Sequence, residues 1–174
     1  MEYTFTLKYQ LASGDCDHDE LVERLGAAGC TDALVGIGIP GRMALLFTRE
    51  AGSAEAAILS ALADVRGAIP SASLIEVAPD FVGLTDVAEV IGVSRQNMRK
   101  LMVSHAASFP APVHEGSAAL WHLADVLAWL GTRGTYPLDP SVFEVAEIAM
   151  QVNLARQAPL RVPRLQREVK GILG

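Results

Sequence analysis

Five of the six residues from 95 to 100, namely Arg95, Gln96, Asn97, Arg99 and Lys100, carry side chains suited to reading DNA. A guanidinium fork matches the O6 and N7 acceptors of guanine, and a carboxamide matches the N6 and N7 edge of adenine. Each such two-point contact discriminates against a wrong base by about 1–3 kcal/mol. Lys100 and His105 suit phosphate oxygens, which set register on a duplex without reading its sequence. To act together these groups must project from one face of a rigid helix. Thr85 is placed to cap a first helix whose Val87, Ala88, Val90 and Ile91 face a core. Gly92 ends it, and Ser94 opens a second helix over 95–104 with Met98, Leu101 and Met102 inward. Helix, glycine turn and polar-basic helix make a helix-turn-helix, whose second element fits the major groove. The expected DNA-contacting set is Thr85, Ser94, Arg95, Gln96, Asn97, Arg99, Lys100, His105 and, from the turn that follows, His114.

Other chemistry finds less support. Gly36, Gly38 and Gly41 match GxGxxG, but a dinucleotide site needs a helix after that motif, and here the strand-like RMALLF follows. The run Asp15-Cys16-Asp17-His18-Asp19-Glu20 has neither the glycine nor the final acid of a calcium loop. Cys16 and His18 alone are too few for zinc, and acids at a helix start account for the rest. No GxSxG, HExxH or Cys/His arrangement is present, so no enzyme, cofactor or metal is expected. Trp121 and Trp129 read as core residues rather than stacking platforms.

With 51% hydrophobic and 20% charged residues, the 174-residue chain has the composition of a folded protein. The net charge of −6 argues against bulk attraction to nucleic acid. Its distribution is uneven: residues 1–80 hold 5 Lys/Arg against 12 Asp/Glu, and residues 81–174 hold 9 against 8. The opening MEYTFTLKYQ has no basic leader or apolar run, and no stretch suits a membrane span, so a cytoplasmic protein is expected. Cys16 and Cys30 fit no CxxC pattern and are expected to be reduced.

Tyr3, Phe5, Leu7 and Tyr9 alternate with polar residues over 2–11, the mark of a half-buried strand. Asp17 and Glu20 open a helix to about Ala28 with Leu21, Val22 and Leu25 inward. Strands Ala33–Ile37 and Arg42–Thr48 follow, joined around Pro40-Gly41. A helix from Ser53 to about Gly67 has Ile58, Leu59, Leu62 and Val65 on its apolar side, and Ser73–Val77 is a last strand. Strand, helix, strand, strand, helix, strand is the split βαβ order of a ferredoxin-like α+β domain, expected over 1–80. Residues 79–83 read as a linker before a winged helix-turn-helix at 84–131. In that unit 119–122 returns from the turn at 109–116, and Leu123–Leu130 is a third helix. A second linker, 131–140, leads to a helix at 139–157 capped by Ser141 and Glu144. Its broad apolar surface makes it the candidate dimer element, and 158–174 reads as a basic flexible tail.

Residues 84–130 resemble the winged helix-turn-helix of MerR-type regulators and of the related excisionase or AlpA-like prophage regulators. The resemblance rests on Leu84-Thr85, Ala88, Ile91, the Gly92-Val93-Ser94 turn and Arg95. It continues through Phe109-Pro110, Trp121, Asp125-Val126 and Trp129-Leu130. It implies DNA reading by the second helix and phosphate contacts from the wing. A whole folded domain precedes the module here, and no long dimer coiled coil follows it.

The combined expectation is a sequence-specific, repressor-like regulator that binds double-stranded DNA as a homodimer. Its acidic first domain would take a small-molecule effector or a basic protein partner, as in an antitoxin-type autorepressor bound to its toxin. Architectural DNA bending, a protein-interaction adaptor without DNA, and a small-molecule-binding or enzymatic ferredoxin-like domain with an appended regulatory module are the alternatives.

Overall fold

The structure is a computed structural model that describes residues 1–15, 17–36, 38–157 and 163–173. It is a mixed α+β chain with an antiparallel four-stranded sheet and, among the described residues, seven helices. The sheet contains β1 (Glu2–Gln10), β2 (Ala33–Gly36), β3 (Arg42–Glu50) and β4 (Ser73–Ala78), in the order β2-β3-β1-β4. Period-two alternation sets its register. Tyr3, Phe5, Leu7 and Tyr9 of β1 point to the same buried face as Met43, Leu45 and Phe47 of β3. Phe5 stacks on its cross-strand partner Phe47 with ring centres 5.4 Å apart.

Two helices complete this core, α1 (His18–Ala27) and α2 (Ala54–Ala68). Asp17 caps α1, its carboxylate accepting from the amides of Asp19 and Glu20, and Ser53 caps α2 through the amide of Ala56. The inner faces differ from the expected stripes: Val22 and Leu59 are exposed. α2 turns Ala57, Ile58, Ala61 and Val65 inward, and the small alanines bring its backbone close to the sheet. Leu59, about 100° further round the helix, is then left in solvent. Cys30 is buried at the edge of this core, where burial pushes its thiol up to about 11 and keeps it protonated at neutral pH. Cys16 and Ile37 lie outside the described residues.

Residues 79–83 are not a loose linker. Phe81–Val82 forms β5, which pairs antiparallel with β6 (Trp121–His122), and Asp80 is fully buried. β6 runs directly into α5 (Leu123–Arg133), which packs with α3 (Leu84–Val90) and α4 (Arg95–Ser104) in a second core. The last long helix, α6 (Pro140–Gln157), joins the two cores: Val145 and Ala149 enter the first, Ala146 the second. Its wide apolar surface is therefore used within the chain, which removes the reason for expecting it to form the dimer interface. Its cap also differs from the Ser141/Glu144 box. Asp139 accepts from the Ser141 amide at 2.9 Å with Pro140 next to it, while Glu144 accepts from the Tyr3 hydroxyl at 2.8 Å. Residues 163–173 of the expected flexible tail form α7 (Pro163–Leu173), and residues 158–162 lie outside the described part. Among the described residues no helix is long and apolar enough to cross a membrane.

The two cores are tied by a buried polar junction. Asp80 Oδ1 lies 2.6 Å from His122 Nδ1, and Asp80 Oδ2 accepts from Asn153 Nδ2 at 2.7 Å. Asn153 also clamps β4, accepting from the Val77 amide at 2.9 Å and donating to the Val77 carbonyl at 2.8 Å. The Asp80 carbonyl accepts from the Leu123 amide at 2.7 Å. A second buried charge, Arg49, forms a two-point ion pair with Asp32 at 2.7 and 3.0 Å and reaches Asp64 at 2.8 Å.

Two outcomes are expected. Asp80→Ala strands the polar ends of His122 and Asn153 and should lower unfolding stability by about 3–5 kcal/mol, read from urea titration. The Arg49 guanidinium, chiefly by hydrogen bonding, holds the Asp32 carboxyl below the usual carboxylate range. The stability from that shift is complete above about pH 4 and is lost as pH falls through the lower folded value. Arg49→Met should therefore flatten the acid limb of a stability–pH profile as well as lowering its plateau.

Candidate nucleic-acid interface

The turn between α3 and α4 is built by backbone rules. α3 begins after Gly83, whose amide donates to Asp86 Oδ2 at 2.7 Å; Asp86 thus makes the capping contact expected of Thr85. Thr85 instead stands exposed in the first turn. At the other end Gly92 takes φ +71°, a left-handed value that side chains resist. That lets the Val93 amide donate to the Ala88 carbonyl at 2.9 Å and close the helix. Ser94 is extended, and its Oγ accepts from the Asn97 amide at 3.1 Å, starting α4.

Only Met98 of α4 is fully buried, with Leu101 and Met102 half-buried beside it. At 100° per residue, Gln96, Lys100 and Val103 fall opposite Met98. Arg95 and Arg99 flank that row on the Met102 side, and Asn97 flanks it on the other. All of these are exposed. Among the described residues Arg95, Arg99 and Lys100 have no carboxylate partner, so their charges are uncommitted. Val103, 62% exposed at the centre of this face, was not singled out by residue chemistry. Its spacing of four from Arg99 was the available signal.

The chain after α4 folds back as a narrow hairpin. The Val113 amide donates to the Leu120 carbonyl at 2.8 Å, the Leu120 amide donates to the His114 carbonyl at 3.0 Å, and β6 continues the pairing to β5. Trp121 fixes the hairpin base. Its Nε1–H donates to the Pro110 carbonyl at 2.9 Å, and its ring meets Phe109 edge-on at 6.0 Å. A cleft of about 440 Å³ opens between this hairpin, α3 and α4. Its lining brings together Thr85, Arg95 and Arg99 with Gly116 and Ser117 of the hairpin tip. His114 is exposed beside the tip, its ring so close to Gly116 that a side-chain carbon there would lie 2.6 Å from its Nε2.

His105 does not belong to this surface. It ends α4 half-buried, with Arg133 Nη2 at 2.9 Å from its Nε2 and the Trp129 ring 5.8 Å away. Arg133 in turn lies over Trp129 at 4.6 Å. The cause is the turn after α4: the Phe109 amide donates to the His105 carbonyl, folding the chain back and carrying His105 onto α5. No family model matches the chain, and neither curated proteins nor solved structures gave a match.

Among the described residues the remaining motifs organise no second site. Gly38 and Gly41 lie between β2 and β3, with Gly41 at φ +74° and the strand β3 following at once. Among the described residues no three His, Cys, Asp or Glu side chains are grouped to hold a metal ion. What the α4 face offers is recognition without bond-making: two guanidinium forks, two carboxamides, an ammonium and one apolar side chain on a fixed helix. Its scaffold can be tested directly. Ser94→Ala should cost about 1 kcal/mol and Gly92→Val about 1–2 kcal/mol in thermal or urea unfolding. Asn97→Ala, at an exposed side chain with no hydrogen bond among the described residues, should leave stability unchanged.

Proposed function

We propose that this chain is a sequence-specific DNA-binding regulator in which α4 enters the major groove. In this reading the 84–131 unit is a winged helix-turn-helix, its wing the hairpin around Gly116. The observation that carries the reading is the row of unpaired Arg95, Arg99 and Lys100, with Gln96 and Asn97, on a helix anchored by only three core side chains. Arg99, Gln96 and Lys100 sit where base edges would lie. Arg95 and Thr85, at the cleft with the hairpin tip, are placed for backbone phosphate, as is His114. Two copies on paired half-sites supply the affinity that one three-helix module lacks.

We read the N-terminal unit, with its strand order β2-β3-β1-β4 and α1 and α2 packed in its core, as a ferredoxin-like domain and assign it the partner- or effector-binding role. The observation favouring a protein partner is the uncovered side of its sheet. There Leu34 and Leu46 are directly paired and 71% and 40% exposed, with Ile39 nearby at 69%. An antitoxin-type autorepressor would use that surface.

Binding to genomic fragments by mobility shift, followed by sequencing of the retained DNA, tests the proposal. An inverted repeat should be enriched, and Arg95→Ala/Arg99→Ala should weaken binding at least tenfold while leaving unfolding stability unchanged. Equal binding by wild type and the double variant rejects the role given to α4. Failure of both to bind any fragment favours the adaptor reading.

A further inference from the structure

Two surfaces of this chain are unsatisfied in complementary ways. The first is α7, whose Leu165, Val169, Ile172 and Leu173 recur at helical spacing and are 55%, 39%, 82% and 81% exposed. An eleven-residue helix is too short to hold its shape in water unaided, so its apolar stripe calls for a receptor. Apart from Glu168 its charges are basic, Arg164, Arg167 and Lys170. The second surface is an apolar cleft of about 560 Å³ on the side of the hairpin away from Arg95. Met102, Val103, Ala107, Phe109, Pro112 and Trp121 line it, and Glu115 stands at its margin with no cation partner among the described residues. Small alanines and prolines beside two aromatic rings suit an inserted helix.

We propose that α7 of one copy docks in this cleft of a second copy, and that the reciprocal exchange forms the dimer. Leu165, Val169 and Ile172, at i, i+4 and i+7, are the anchors of helix-in-groove recognition. The charges complement each other: a basic helix meets a cleft whose one charged group is a carboxylate. Within one copy α7 keeps this stripe exposed and none of its residues lines the cleft, so the exchange is between copies. Two identical insertions related by a two-fold axis close the assembly and leave the Gln96–Lys100 face of each copy outward.

The proposal rests on the two-copy reading above but is measured without DNA, so the two can fail separately. Sedimentation of the full chain over a concentration series should give a monomer–dimer equilibrium. Val169→Asp, on an exposed helix face where folding is not at risk, should raise the dimer dissociation constant at least tenfold. Ala107→Trp, which fills the cleft from the other side, should do the same. A labelled peptide of residues 160–174 should bind the Val169→Asp chain and lose binding when Ala107→Trp is added. A dimer that survives Val169→Asp overturns the proposal. So does a chain that stays monomeric at high concentration, including one that instead co-sediments through α7 with phosphatidylglycerol vesicles.

Discussion

A carboxylate removed from water must have its lone pairs answered by protein, and Asp80 is answered from both sides of the molecule. His122 comes from the strand that starts the third helix of the second core, Asn153 from the helix shared by both cores. With the carboxylate as acceptor, His122 Nδ1 carries the proton, and the ring is held against Phe81 at 5.1 Å. Asn153 meets Asp80 and both backbone groups of Val77 at once, so the end of β4, β6 and α6 have one relative position that satisfies every group. Hydrophobic contact alone would let α6 slide between the cores, since apolar burial is non-directional. The directional bonds remove that freedom. Through β6 they also set the base of the hairpin, because Trp121, which orients it, precedes His122.

This junction changes how the two halves relate. Independent domains on a flexible linker could report to one another only through tethering. Here residues 79–83 are strand and buried carboxylate, and α6 packs its two sides into two cores. A ligand or partner that shifts the sheet would act on α6 and Asp80, and through β6 on the hairpin beside α4. Any coupling between the sheet and the hairpin would have a continuous set of packed and hydrogen-bonded groups available to it.

The sequence was most informative where a residue's role is decided within a few positions of itself. The alternation of Tyr3 to Tyr9, the caps at Asp17, Ser53 and Ser94, and the glycine stop at Gly92 are local rules, and each reads directly from spacing. Errors arose where the deciding partner is far away in the chain. Asp80 looked like linker because His122 and Asn153 are 42 and 73 residues distant. His105 looked free for phosphate because Arg133 and Trp129 belong to a later helix. Leu59 looked buried because bulk outweighed the alanines that bring α2 close to the sheet. The breadth of α6 was visible, but breadth alone does not distinguish a second core from a second copy. At α4 the residue types were legible, but that Arg95 and Arg99 line the cleft with the hairpin tip while Lys100 does not needed the position of the hairpin.

The acidity of the chain bears on that division. A protein of net charge −6 gains little from the long-range field of DNA, and exposed charges more than about 10 Å apart are screened at ordinary salt. In the proposed DNA-binding role, the unpaired Arg95, Arg99 and Lys100 would therefore act only once α4 lies within the groove. In that role the acidity would lower residence on random DNA, where cations alone hold a protein, more than on a matched site, where base contacts add to them. Moving acid to the first half and leaving the α4 face unpaired has the same effect. Specificity here would come less from strong binding at the right sequence than from weak binding everywhere else.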